Sequence, residues 1–202
     1  RDIHASRRRD SFSLSPADKG ARKLRNVALS YLMAGGAADA RALTLAQYES
    51  AHNMTERQGA FATLTHSAGA ERDRVIANFY DRYHDDALVL DKWFQTQALA
   101  FHPDIVAIVR ELAQHKDFTL TNPNRVRSLW GAFAANQWAF HSDAGEGYAM
   151  LADMIVALDP INPQTAARFV PPLGRWRRFS EERGAKMREA LQRILAQPKL
   201  SK

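Results

Sequence analysis

Few residues of this sequence combine, by type and spacing, into a recognisable catalytic unit. Seven histidines stand at positions 4, 52, 66, 84, 102, 115 and 141, and no two are four residues apart. That spacing excludes His-Glu-x-x-His, in which two zinc ligands lie one helical turn apart with a general base between them. There is no cysteine, so thiolate zinc sites, disulfide frameworks and a thiol nucleophile are excluded as well. Neither Gly-x-x-x-x-Gly-Lys, Gly-x-Gly-x-x-Gly nor Gly-x-Ser-x-Gly occurs. The run Tyr80-Asp81-Arg82-Tyr83-His84-Asp85-Asp86 holds acids and a base, but it reads as a helix end with both tyrosines in the core and the acids in the following turn.

Single arginines are better placed for binding than any of these. Arg125 and Arg127 fall in the first turns of the helix predicted after Asn122-Pro123, on either side of its apolar stripe, so both can reach a groove or an interface. Arg168 lies in the corresponding helix after Asn162-Pro163. It points about 150° from the stripe of Ala166, Phe169 and Val170 at ~100° per residue, which predicts a position exposed or facing another domain. On neighbouring repeats, Arg127 and Arg168 would occupy adjacent rungs. Two guanidiniums there could bind a carboxylate bidentately, as the C-terminus of a peptide requires. Spacing alone leaves open the alternative of solvated or salt-bridged arginines.

The elements that must position these residues are helices. Alanine is abundant, and apolar residues recur at helical rather than alternating spacing, so an all-α fold is expected. Stripes run through Leu24, Val27, Ala28, Tyr31 and Leu32; Val126, Leu129, Trp130 and Phe133; Tyr148, Leu151, Ala152 and Ile155; and Met187, Ala190, Leu191 and Ile194. Around Ile105–Val109 the apolar surface runs most of the way round, as for a helix packed on two sides. Helix starts are marked at Ser15-Pro16-Ala17-Asp18, Asn53-Met54-Thr55-Glu56, His102-Pro103, Asn122-Pro123, Asn162-Pro163 and Ser180-Glu181-Glu182. They imply about nine helices of roughly 10 to 16 residues with brief turns. The two Asn-Pro starts are 40 residues apart, the length of one HEAT or armadillo hairpin. An α-solenoid of stacked helical hairpins is the leading architecture, with an irregular helical bundle as the alternative.

The net charge of +6 is unevenly distributed. Residues 1–25 carry eight Lys/Arg against three acids, residues 175–202 carry nine against three, and the body between them carries eleven against sixteen. Two basic ends therefore flank a mildly acidic body. They could bind phosphate, but terminal basic helices more often face solvent or an acidic neighbour, so nucleic acid is not the expected partner. A mean hydropathy of -0.41, with no apolar run near ~18 residues, predicts a soluble chain without a membrane span.

The sequence also resembles the C-terminal domain of bacterial alanyl aminopeptidase (aminopeptidase N). The likeness is carried by the run from Thr119 to Ala134 (TLTNPNRVRSLWGAFA), Phe140-His141, Gly145-Glu146-Gly147-Tyr148, Asn162-Pro163-Gln164 and Trp176-Arg177-Arg178-Phe179. Earlier pieces follow in the same order: Ala21 to Asn26, Leu29 to Leu32, Asn53-Met54-Thr55, Arg57, Ala60 and Asp91 to Phe94. The resemblance implies a single helical-repeat domain over 1–202, with 1–14 as the tail of a preceding linker and the catalytic domain absent from this chain.

The family's enzymes are zinc-dependent exopeptidases whose zinc ligands, general base and N-terminus-binding motif lie upstream. The resemblance thus implies no catalytic residue, no metal ligand and no cofactor here, with zinc in the parent's catalytic domain. The implied role is to close the active-site chamber and position short peptides. By motif, the family's two chamber-facing arginines fall on Arg127 and Arg168. Expected partners are the catalytic domain of the same polypeptide and short peptides, in the cytoplasm and without a membrane. The rival reading is a free-standing helical scaffold whose basic ends bind an acidic protein or nucleic acid.

Overall fold

A computed structural model describes residues 1–201. Every regular element among the described residues is helical, which establishes the all-α class. The chain divides into two compact units, Arg1–His84 and a second one beginning at Asp85.

The first unit contains α1 (Asp2–Ser6), α2 (Pro16–Ala34), α3 (Ala40–Ser50), α4 (Met54–Thr65) and α5 (Ala70–Tyr83). The Ser15 and Asn53 side chains cap α2 and α4 by accepting the backbone N–H of Asp18 and Glu56, as the capping patterns predict. Phe61 stacks on Phe79 with ring centroids 4.3 Å apart, in the apolar centre of the unit. Tyr80 and Tyr83 do end a helix, but they are only half-buried, and Phe79 takes the core position instead.

One stripe is turned the opposite way to the prediction. On α2, Leu24, Val27 and Tyr31 are exposed, and the helix buries Ala21, Arg22, Arg25 and Leu29. The reason is a polar inner seam that outweighs the apolar stripe. Arg25 Nη1 donates to Glu56 Oε1 at 2.9 Å, Gln47 Nε2 donates to Asn26 Oδ1 at 2.8 Å, and Asn26 Nδ2 donates to the Thr55 carbonyl at 2.9 Å. Asn26 also packs where a side chain at Gly59 would stand, since a Cβ there would fall 2.3 Å from Asn26 Cγ. His4 of α1 is buried beside this seam, with Nε2 2.7 Å from Gln47 Oε1.

The second unit opens with α6 (Ala87–Ala98), capped by Asp86, and α7 (Ile105–Leu112). The latter starts two residues after the predicted position, because Asp104 donates its backbone N–H to His102 Nδ1 and the turn is spent before the helix begins. Next comes α8 (Pro123–Val126), a π-helical segment (Arg127–Gly131) and α9 (Ala132–Ala135), followed by α10 (Gln137–Phe140) and α11 (Glu146–Leu158). The unit ends with α12 (Pro163–Ala167), α13 (Pro171–Gly174), a 3₁₀ turn (Trp176–Arg178) and α14 (Glu181–Leu195).

The lengths of α6, α11 and α14 fall within the 10 to 16 residues predicted, and α8, the π segment and α9 run on without a break, whereas α12 and α13 are shorter because Pro163 and Pro171 stand at helix starts. The core is an aromatic series in which Phe133 meets Phe140 edge-on at 5.6 Å and Phe140 meets Tyr148 at 5.3 Å. The predicted stripe of α11 is fully internal, and so is that of the Arg127 helix. Gly147 lets α11 approach this core, since a Cβ there would lie 2.8 Å from the Phe140 carbonyl oxygen.

Candidate functional site

The three arginines singled out from the sequence part company here. Arg125 is buried, contrary to the expectation that it reaches a groove. Its Nε donates to Asp91 Oδ1 at 2.6 Å, Nη1 donates to the Asp117 carbonyl, and the guanidinium lies over the Phe94 ring at 5.0 Å. These internal contacts tie the start of the Arg127 helix to α6 through Arg125. It is an anchor for the site and cannot meet a ligand.

Arg127 and Arg168 come to the wall of one cavity of about 550 Å³. Arg127 opens the π segment, where one extra residue per turn shifts side-chain directions relative to an α-helix. Its aliphatic stem runs past Gly131, whose Cβ, if present, would lie 3.3 Å from Arg127 Cγ and 3.9 Å from Phe169 Cε1. Its Nη2 donates to Asn124 Oδ1 at 3.0 Å, which steers the guanidinium without neutralising it. Arg168 is the C-cap that directly follows α12, a helix that Asn162 caps through the Thr165 N–H. It is exposed, as its helical angle predicts.

Arg175 completes the cationic lining. By charge it belongs to the basic C-terminal segment, yet it stands seven residues after Arg168, at the end of α13, and lines the same cavity. The proline starts were the signal that the stretch 163–175 is broken into separate short helices instead of one continuous one.

Apolar walls come from Phe169, Pro172 and Phe179. His141 stacks on Phe179 with centroids 4.1 Å apart and shares a 2.9 Å hydrogen bond with the Tyr148 hydroxyl. Burial, aided by the nearby Arg183 charge, lowers the His141 pKa, so the ring is neutral at physiological pH and adds no charge to the lining. No Asp or Glu lines the cavity. Elsewhere in this unit arginines do meet carboxylates: Arg110 with Glu146, Arg183 with Asp143 and Arg193 with Asp153. Among the described residues, no three His, Asp or Glu side chains gather in a way that could hold a metal ion. No helix among them is long and apolar enough to cross a membrane.

An all-α chain of short helical hairpins is the form of a helical-repeat domain. Residues 1–202 match a family described as a domain of unknown function (DUF3458_C) with ARM repeats, and the chain belongs to that family. Its relatives are bacterial aminopeptidases N. It is 43% identical over 192 residues to aminopeptidase N of Caulobacter vibrioides, covering 95% of this chain and 22% of that protein. To aminopeptidase N of Escherichia coli it is 38% identical over 203 residues, covering 98% and 23%. Among solved structures it is similar to Legionella pneumophila aminopeptidase A in complex with aspartic acid, with a TM-score of 0.85 and 36% identity over 96% of this chain and 23% of that one. The chain thus spans less than a quarter of the length of the relatives it matches.

Proposed function

We propose that this chain is the non-catalytic C-terminal domain of a zinc aminopeptidase that removes N-terminal residues from peptides. In that role it closes the active-site chamber over the catalytic domain of the same polypeptide, and its cavity receives the carboxylate end of a short peptide. One observation carries the reading. Arg127 and Arg168, 41 positions apart in sequence, line the same cavity with no carboxylate of the protein to neutralise them.

Paired guanidiniums grip a carboxylate through parallel N–H···O bonds, and a cavity walled by Phe169, Pro172 and Phe179 strengthens them by thinning the water around them. Fixing the far end of a peptide fixes its scissile end by the length of the chain between. That is a contribution of position and not of bond chemistry. The described residues do not fit a zinc site, so the zinc of this reading belongs to the catalytic domain, and this chain supplies no step to the hydrolysis. A cytoplasmic setting belongs to the same reading.

The test uses the full-length polypeptide that contains this domain. With Arg127→Ala and Arg168→Ala together, KM for short peptides with a free C-terminus should rise about tenfold, the worth of one charge-assisted pair discounted for exposure. KM for the same peptides as C-terminal amides should hardly move. Unchanged KM and kcat on the free-acid peptides would show that the cavity does not hold the carboxylate.

A further inference from the structure

We infer that Arg175 is the third recognition group of this cavity and that the cavity favours peptides whose C-terminal residue is itself acidic, Asp or Glu. The inference rests on the carboxylate reading above and extends it from a terminal group to a class of substrate.

The charge count of the lining leads there. Arg127, Arg168 and Arg175 contribute three positive charges, and no Asp or Glu faces them. Among the described residues, these side chains meet the neutral amide oxygen of Asn124, held by Arg127, and no carboxylate. A single terminal carboxylate neutralises one of the three charges. A C-terminal Asp or Glu brings two carboxylates separated by only a few bonds, so both fit within one cavity of about 550 Å³. That volume is in the ordinary range of roughly 300–1,000 Å³ for small-ligand sites.

Two separate parts of the fold supply the cations for two anions. Arg127 projects from the π segment, whereas Arg168 and Arg175 leave the C-terminal ends of the consecutive short helices α12 and α13. Pro171 and Pro172 keep those two helices from fusing into one, which would turn the arginines in directions set by a single continuous helix. The rest of the lining discriminates against uncharged alternatives. Phe169, Pro172 and Phe179 offer no hydrogen bond to an amide side chain, leaving Gln137, Thr165 and the neutral ring of His141, already bonded to Tyr148, as its neutral polar partners. Asp and Asn have nearly the same shape, so charge is the property this lining can tell apart.

The experiment compares peptides of one length ending in Asp, Asn or Asn-amide on the full-length polypeptide at low ionic strength, where such attraction is least screened. For the parent, KM should be about three- to tenfold lower for the Asp-ended peptide than for the Asn-ended one, with little change in kcat. Arg175→Gln should bring the Asp-to-Asn ratio close to one, Arg175→Lys should restore part of it, and added salt should erode it.

Equal KM for Asp- and Asn-ended peptides in the parent, or a ratio untouched by Arg175→Gln, overturns the inference. If the Asn-ended acid still binds better than its amide in that case, the carboxylate reading stands and only the acidic preference falls. If acid and amide are alike, the reading beneath it has failed.

Discussion

The anchor beneath the cavity allows a quantitative test. Asp91→Ala removes the carboxylate paired with Arg125, whose side chain is 6% exposed while that of Asp91 is 17% exposed. Breaking a buried pair from one side typically costs about 3–5 kcal/mol, because the remaining charge has neither water nor a partner. Arg125 keeps the Asp117 carbonyl and the Phe94 ring face, so the loss should fall at the lower end, about 3 kcal/mol. For a chain of this size that corresponds to a Tm lower by roughly 6–12 °C.

Urea and thermal unfolding followed by circular dichroism would measure it. The double variant Asp91→Leu with Arg125→Met is the informative control. It removes both charges and leaves neither exposed to an apolar interior alone, so it should be less destabilised than Asp91→Ala. A loss under 1 kcal/mol for Asp91→Ala, or a double variant as unstable as the sum of its parts, would refute the view that Arg125 is a buried charge held by Asp91.

Two further outcomes follow from packing and titration. Gly147→Ala should lower stability by about 1–3 kcal/mol, seen as a lower urea midpoint. The added methyl would lie 2.8 Å from the Phe140 carbonyl and 3.2 Å from Phe133 Cζ, and this overpacking exceeds the ~1 kcal/mol that alanine gains in a helix. Burial lowers the pKa of His4, His66, His115 and His141 below the ordinary 6.5. The unfolded chain then binds protons that the folded one refuses, so stability is fully present above pH 6.5 and declines as pH falls below it. The urea midpoint should be lower at pH 5.5 than at pH 7.5, and an equal or higher midpoint at pH 5.5 would contradict the burial of these rings.

The helical class, most helix starts and the apolar faces of the Arg127 helix and α11 were legible because each is a local pattern: a capping side chain, a proline, a stripe at helical spacing. The face of α2 was not, since the seam of Arg25, Asn26, Gln47 and Glu56 is made by partners from three helices, and no single-helix pattern weighs it against Leu24, Val27 and Tyr31. The same limit separated Arg125 from Arg127. Both flank the same stripe, and only the distant Asp91 decides which one is consumed by the fold. Arg175 was hidden for a different reason. Its neighbours Arg177 and Arg178 made it look like part of a charge run, whereas the turn at Pro171-Pro172 gives it a separate direction.

The π segment at Arg127–Gly131 has a consequence for how this domain tolerates change in length. Upstream, the Asn122 cap and the Arg125–Asp91 pair clamp the helix at one rotational phase. Downstream, Phe133 is clamped at another by Phe140. The surplus residue of the π turn is the slack that lets both clamps hold. Because that residue is a local surplus, losing one of residues 127–131 would let the turn close as ordinary α-helix with both clamps still in phase, and the cost would fall on the direction of Arg127. A one-residue change of length in the α-helical turns on either side has no such slack and would rotate one clamp against the other by about 100°, so this stretch works as the buffer of chain length between them.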